Sequence, residues 1–260
     1  MNAKPVEANS PEYLAPGGLA RIAPLSSCAF FLDVDGTLLD ILPRPEDVVA
    51  DGKVRRLLAE LAEATHGALA LISGRAIADI DRIFAPLVFS AAGLHGAEIR
   101  FPDGSRRRSD SRVMDHVRPL VARFVAAYYP RLRLEDKGAA LALHFRQAPE
   151  LAKEILEFLQ PLAQKGELAI QEGKMVAELK EAQHDKAKAI AALLKCEPFS
   201  GRKPVFIGDD LTDECGFLFV NALGGMSVRA GAPDYASAAH YCLPDPSGVR
   251  AELRQLLTGI

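Results

Sequence analysis

Two aspartates two residues apart, Asp33 and Asp35, end the apolar run of "AFFLDVDGTLLD". A second acidic pair, Asp209 and Asp210, ends another apolar run, "KPVFIGDD", with Asp213 close behind. The rim of a buried strand is a poor place for one unpaired carboxylate and a worse one for two. Taken singly, each pair also suits a solvated turn or a helix cap, because aspartate serves both. Two such ends converging in one sheet are harder to place without a cation, since carboxylates brought together from separate loops repel. Magnesium fits: it takes hard oxygen ligands and keeps waters, and no cysteine pair or histidine cluster points to zinc.

A carboxylate beside magnesium suggests chemistry on phosphate. The cation neutralises nonbridging oxygens, so an aspartate can approach phosphorus and attack it, forming an acyl phosphate. A second carboxyl two residues away can protonate the departing alcohol, then deprotonate the water that hydrolyses the intermediate. Ser73, followed by Gly74, closes the apolar run "GALALISG". It can offer a hydroxyl and an N–H to a phosphate oxygen, or merely cap the next helix. Lys186 opens a helical stretch, where its ammonium meets either phosphate or solvent.

These residues need a scaffold that gathers strand ends. Residues 28–33 and "GALALISG" read as buried strands, each followed by apolar residues at helical spacing, from Val48 through Leu61 and in "RAIADIDRIF". Short strands with turn glycines follow in "PLVFSAAGLHGAEIRFPDG". Alternating strand and helix builds a parallel sheet covered on both faces, with functional residues at the carboxyl ends of its strands. From about residue 111 the pattern becomes helix, two strands, helix, two strands. "RVMDHVRPLVARFVAAYYP" predicts a helix kinked or broken at Pro119, and hairpin turns are expected at Asp136-Lys137-Gly138 and Glu172-Gly173. Strand–helix alternation then resumes to the end. The expectation is an α/β doubly wound core over 26–107 and 183–260, an inserted α+β domain over 108–182, and a frayed leader over 1–25.

Composition bounds the rest. The 260 residues are 49% hydrophobic and 25% charged, with a formal net charge of -3, which suits a globular chain and gives no footing for nucleic acid or membrane. The short basic run "GSRRRSDSR" reads as a solvated loop. Cys28, Cys196, Cys215 and Cys242 are isolated, which predicts buried free thiols. Without a signal-peptide core or membrane span, a cytoplasmic location and a monomer are the simple expectations.

Four stretches in order, "DVDGTL" (33–38), "SGR" (73–75), the Lys186 segment and "GDDLTDE" (208–214), resemble the motifs of the haloacid dehalogenase superfamily, in its branch of capped phosphatases. More narrowly, "GLHGAEIR" (93–100), "LEDKGAALALHFR" (134–146) and "GKMVAELK" (173–180) are similar to the trehalose-6-phosphate phosphatase family. That resemblance implies a haloacid dehalogenase-like core with a cap, and hydrolysis of trehalose 6-phosphate through an aspartyl phosphate. It implies Asp33 as nucleophile, Asp35 as general acid and base, and Ser73 and Lys186 as holders of the phosphoryl group. Magnesium would be held by Asp33, the backbone carbonyl of Asp35 and Asp209, with Asp210 and Asp213 behind them. Glu135, Lys137 and Glu178 match residues that bind the disaccharide in the family; Gly74, Arg75, His95 and Gly96 match groups lining the cleft. Glu135 and Lys137 also suit an exposed hairpin charge pair. Where the family usually carries glycine after the motif lysine, this chain has Ala187, which leaves Lys188 as a rival two positions out of register. A phosphatase for sucrose phosphate or glucosylglycerol phosphate, and a sugar-phosphate sensor without turnover, are the alternative readings.

Overall fold

The computed structural model describes residues 11–109, 112–164, 166–173, 175–232 and 235–259. The chain divides into two compact units, residues 1–106 with 185–260, and residues 107–184.

The first part of the larger unit contains β1 (Glu12–Tyr13), α1 (Gly18–Ile22), β2 (Cys28–Leu32), α2 (Gly52–Ala64), β3 (Leu69–Ile72), α3 (Ile77–Phe84), β4 (Ser90–Gly93) and β5 (Glu98–Arg100), and β6 (Arg106–Arg108) begins at its last residue. The smaller unit follows with α4 (Arg112–Ala127), β7 (Arg133–Asp136), β8 (Ala140–His144), α5 (Ala152–Ala163), β9 (Leu168–Gly173) and β10 (Val176–Glu181). The larger unit is completed by α6 (Lys186–Leu193), β11 (Lys203–Gly208), α7 (Glu214–Ala222), β12 (Met226–Ala230), β13 (Tyr241–Leu243) and α8 (Pro246–Thr258).

The large sheet runs β1-β13-β12-β11-β2-β3-β4-β5-β6, parallel from β1 through β4 and antiparallel at β4–β5. Successive side chains of a strand face opposite ways, and β2 shows why its run is apolar throughout. Cys28, Phe30 and Leu32 enter one core with residues of α1, α2, α3 and α8, while Ala29 and Phe31 enter another with residues of α6 and α7. That is the doubly wound arrangement, with β2 and β11 at the middle of the sheet. Both expected acidic strand ends therefore lie side by side: Asp33 N–H still donates to Ile207 O at 2.9 Å, beyond the last residue of β2.

The small unit is a four-stranded sheet, β7-β8-β10-β9, antiparallel throughout. Leu141, Leu143, Ala177 and Leu179 pack one face against Met114, Val117, Val121 and Val125 of α4 and Ile155 and Leu159 of α5.

Several details differ from expectation. Residues 11–25 are seated on the core. Here β1 pairs with β13, Leu19 is fully buried, and the N–H groups of Gly17 and Leu19 donate to the buried Glu252 carboxylate at 2.8 and 3.0 Å. Residues 1–10 lie outside the described residues. Helix α4 is assigned as one helix across Pro119. Its buried stripe at three- and four-residue spacing stabilises it more than one missing N–H weakens it. The second hairpin turns later than predicted, since Gly173 still pairs with Val176 and Met175 takes φ 62°. Residues 106–108 form the exposed strand β6 instead of a loop, and Arg106 reaches Asp81 at 3.6 Å. All four cysteines are free, but only Cys28 is buried; the other three are half-buried. Among the described residues, no helix is long and apolar enough to cross a membrane.

Candidate active site

Asp33 stands one residue past β2, Ser73 one past β3, and Asp209 one past β11, all at the carboxyl end of the large sheet. Lys186 is the first residue of α6, whose N-cap Asp185 accepts from Lys188 N–H at 2.7 Å. The Lys186 ammonium is buried and donates to Asp33 Oδ1 at 2.7 Å and to Asp213 Oδ1 at 2.6 Å. Lys188 is mostly exposed and pairs with Asp185 at 3.0 Å. Of the two lysines, Lys186 is the one that meets the strand-end acids, and Ala187 sits inside α6, where alanine favours the helix.

Asp213 is completely buried, and both its oxygens are committed: Oδ1 to Lys186, and Oδ2 to the backbone N–H groups of Asp209 and Asp210, each at 3.0 Å. It organises the acidic loop from within. Gly208 is required beside it, because a Cβ there would lie 2.4 Å from the Asp213 carboxyl carbon. Asp210 is exposed, and its side chain caps the following turn through Leu211 N–H. Across the sheet, Thr37 Oγ1 donates to Asp209 Oδ1 at 3.2 Å. Gly36, at φ +79°, clears the space under Asp209 Oδ2, which a Cβ would meet at 2.1 Å. The "DGT" turn therefore cradles the second acidic strand end as well as presenting the first, a pairing that spacing along the chain does not reveal.

Asp33, Asp209 and Asp213 each bring a carboxylate oxygen to within 4.8 Å of the others. Burial pushes the Asp33 carboxyl well up from its ordinary range; Lys186 opposes this, and Asp213 and Asp209 add to it. Burial, then the charge of Asp213, pushes Asp209 up to about 7. Burial works against the Lys186 charge, but Asp213 and Asp33 outweigh it and hold the ammonium above its usual range. One lysine facing three carboxylates leaves a surplus of negative charge on hard oxygen donors. Among the described residues, Asp33 Oδ2 and Asp209 Oδ2 accept no hydrogen bond, so both can ligate a cation. That donor set fits a divalent metal ion.

Arg75 grips Asp35 with a two-pronged pair, Nε to Oδ2 at 2.6 Å and Nη2 to Oδ1 at 2.7 Å, while its Nη1 donates to Pro45 O at 2.9 Å. Ser73 Oγ accepts from Arg75 N–H at 3.1 Å. Over this turn passes the segment Leu94-His95-Gly96, with left-handed φ at all three residues, 50°, 54° and 103°. His95 N–H donates to Ser73 O, and Leu94 N–H to Arg75 O. Gly74 leaves room for the buried His95 ring, whose Nε2 would lie 2.6 Å from a Cβ at that position. A Cβ at Gly96 would lie 2.7 Å from Asp185 O, at the start of α6.

The remaining expected residues lie in the small unit. Lys137 Nζ donates to Glu178 Oε2 at 2.9 Å, and Glu135 Oε2 is 2.9 Å from His144 Nε2. His144 is not among the residues expected from the sequence; it stands two residues from Ala142, the partner of Glu135, on the same face, and that shared face is the signal that connects them.

Residues 31–247 match the family model described as trehalose-phosphatase. The chain is 44% identical over 211 residues to the trehalose-6-phosphate phosphatase of Escherichia coli (strain K12), covering 78% of this chain and 77% of that protein. It is 42% identical over 236 residues to a probable trehalose-phosphate phosphatase of Sinorhizobium fredii (strain NBRC 101917 / NGR234), covering 89% and 88%. In fold it is similar to the C-terminal domain of C. albicans trehalose-6-phosphate phosphatase, with TM-score 0.83 and 19% identity over 97% of this chain and 100% of that one. The strand-end acids, the buried lysine and these matches agree, and the chain belongs to the trehalose-phosphatase family.

Proposed function

We propose that this chain is a magnesium-dependent phosphatase that hydrolyses trehalose 6-phosphate to trehalose and phosphate through an aspartyl phosphate on Asp33. The observation that carries this reading is the buried Lys186 ammonium shared between Asp33 and Asp213 beside Asp209. A structural ion pair needs one carboxylate, whereas phosphoryl transfer needs a nucleophile, a cation site and a phosphate-facing ammonium together.

In this reading the Asp33 and Asp209 carboxylates and the Asp35 carbonyl hold magnesium, which when bound supplies charge to offset the phosphoryl oxygens. An Asp33 carboxylate oxygen attacks phosphorus; that bond forms as the phosphorus–oxygen ester bond to the sugar breaks. Asp35 gives its proton to the departing sugar oxygen. It then takes a proton from water, whose oxygen attacks phosphorus and releases phosphate from Asp33. Arg75 orients Asp35 through both carboxylate oxygens, each of which keeps a further lone pair that can carry the proton. Ser73 and Gly74 offer a hydroxyl and an N–H to the phosphoryl group, and Lys186 its ammonium. Glu135, Lys137 and Glu178 recognise the sugar, because charged groups leave costly unpaired partners when the wrong hydroxyl pattern enters.

The test is phosphate release from a panel of trehalose 6-phosphate, sucrose phosphate and glucosylglycerol phosphate, with magnesium and with a chelator. Turnover of trehalose 6-phosphate above the others, only with magnesium, is expected. Asp33→Asn should lower kcat by orders of magnitude, and an Asp33→Asn protein with wild-type turnover removes the nucleophile from this scheme.

A further inference from the structure

The small sheet has two unlike faces. Leu141, Leu143, Ala177 and Leu179 turn one face into the hydrophobic core against α4 and α5. Residues directly opposite each other on paired strands share a face, and the register fixes what stands on the other one. Glu135 of β7 is opposite Ala142 of β8, Ala142 is opposite Glu178 of β10, and Glu178 is opposite Gln171 of β9. One straight row therefore crosses all four strands, reading Glu135, Ala142, Glu178, Gln171.

The row has a shape suited to a polyhydroxyl ligand. Ala142 is small, so it leaves a low point in the row between the two longer carboxylate side chains. The Lys137 ammonium meets Glu178, and the His144 ring, two residues along the same face, meets Glu135. Strand spacing of nearly 5 Å makes the row about 14 Å long from β7 to β9, room for more than a single hexose ring. The proposed sugar contacts occupy only part of that length. At the far end stands a half-buried primary amide, which can both donate to and accept from a hydroxyl.

We propose that Gln171 is a further specificity-determining residue of the sugar site, hydrogen-bonding hydroxyls of the disaccharide in line with Glu178 and Glu135. This rests on the proposed phosphatase reading and extends its sugar-binding surface by one strand. Glu172, the next residue, is paired with Ala177, belongs to the opposite face, and is exposed, which makes it the matched control.

Steady-state kinetics with trehalose 6-phosphate and magnesium are compared for wild type, Gln171→Ala, Gln171→Leu and Glu172→Ala, with thermal melts of each. Loss of hydrogen bonds to a hydroxyl predicts KM raised about three- to tenfold in both Gln171 variants. Their kcat should stay within about twofold of wild type, and Glu172→Ala should match wild type throughout. Unchanged KM in the Gln171 variants overturns the inference. So does a fall in kcat that tracks a lowered melting temperature, since that marks a purely structural side chain. A wild-type protein that releases no phosphate fails the phosphatase reading itself, whereas an active wild type with insensitive Gln171 variants fails this inference alone.

Discussion

At the scale of single residues, the acidic strand ends carry electrostatic strain that a cation relieves. Asp209 is held from an ordinary 3.8 up to about 7 by burial and by Asp213, and Asp33 is moved the same way. The folded state therefore keeps protons that the unfolded chain releases between about pH 4 and 7. A carboxyl raised on folding contributes stability at low pH that is lost as pH rises through its folded value. For Asp209 alone the effect is at most about 4 kcal/mol, or several degrees of melting temperature. Chelated protein should thus melt progressively lower from pH 5 to pH 8, and magnesium should restore the difference at pH 8 while doing little at pH 5. Melts across that range with and without chelator check this, and a profile in which chelator and magnesium are equivalent at pH 8 contradicts it. Lys186→Met strips the buried cation that, among the described residues, bonds both Asp33 and Asp213. It should abolish turnover and, with magnesium absent, lower stability by about 3 kcal/mol at neutral pH, as for a buried pair that loses one partner. A Lys186→Met protein that keeps more than about a tenth of wild-type kcat would take Lys186 out of the catalytic scheme.

At the scale of elements, the site depends on loops that touch across the sheet. The left-handed segment 94–96 bonds the Ser73 turn on one side and lies against the first residues of α6 on the other. Leu94 and His95 each hold a backbone conformation that side chains disfavour, by about 1 kcal/mol or more, so surrounding contacts must hold them there. Gly96→Ala puts a methyl 2.7 Å from Asp185 O and should push α6, and Lys186 with it, out of register with Asp33. We expect at least a tenfold loss of kcat together with a lower melting temperature; wild-type kinetics would show that α6 is positioned without this contact. The sequence announces these elements unevenly. Strand β2 is legible because both its faces are buried, giving an unbroken apolar run, and its acids are legible because they interrupt it. Strands β1 and β13 have two and three residues, too few for a pattern. The grip of Arg75 on Asp35 and of Thr37 on Asp209 spans 40 and 172 positions, distances that only the closed sheet converts into contact. Glu135 and Lys137 are singled out only by resemblance, because a charge pair flanking a hairpin turn looks the same on any surface, and Glu178 is singled out in the same way.

At the scale of the whole molecule, the large sheet is closed by the two ends of the chain. Residues 11–25 read as a leader because proline and glycine break any periodicity, yet β1 completes the sheet beside β13 and α1 buries Leu19. Beside that pairing and burial, one carboxylate holds them. Glu252, in the middle of α8 and 4% exposed, accepts from the N–H of Gly17 through Oε1 and from that of Leu19 through Oε2. These are the unsatisfied donors at the start of a short helix, and a negative charge at a helix start is favourable. Removing residues 1–25 would strand that carboxylate against an exposed apolar groove. The truncated chain loses the charge-assisted hydrogen bonds that Gly17 and Leu19 give to Glu252, about 3 kcal/mol, and the apolar burial made by Leu19, about 2 more. The truncated chain should therefore melt roughly 10 °C or more below the full chain. Among the described residues, Asp33, Ser73 and Asp209 at the carboxyl ends of β2, β3 and β11 make no hydrogen bond to residues 11–25, so its turnover at low temperature should stay within about twofold of wild type. Replacing Glu252 with leucine in the truncated chain should recover part of the loss, because it removes the stranded charge, while the same change in the full chain should destabilise it. Equal melting temperatures for the full and truncated chains would mean that the N-terminal segment rests on the core without contributing to its stability.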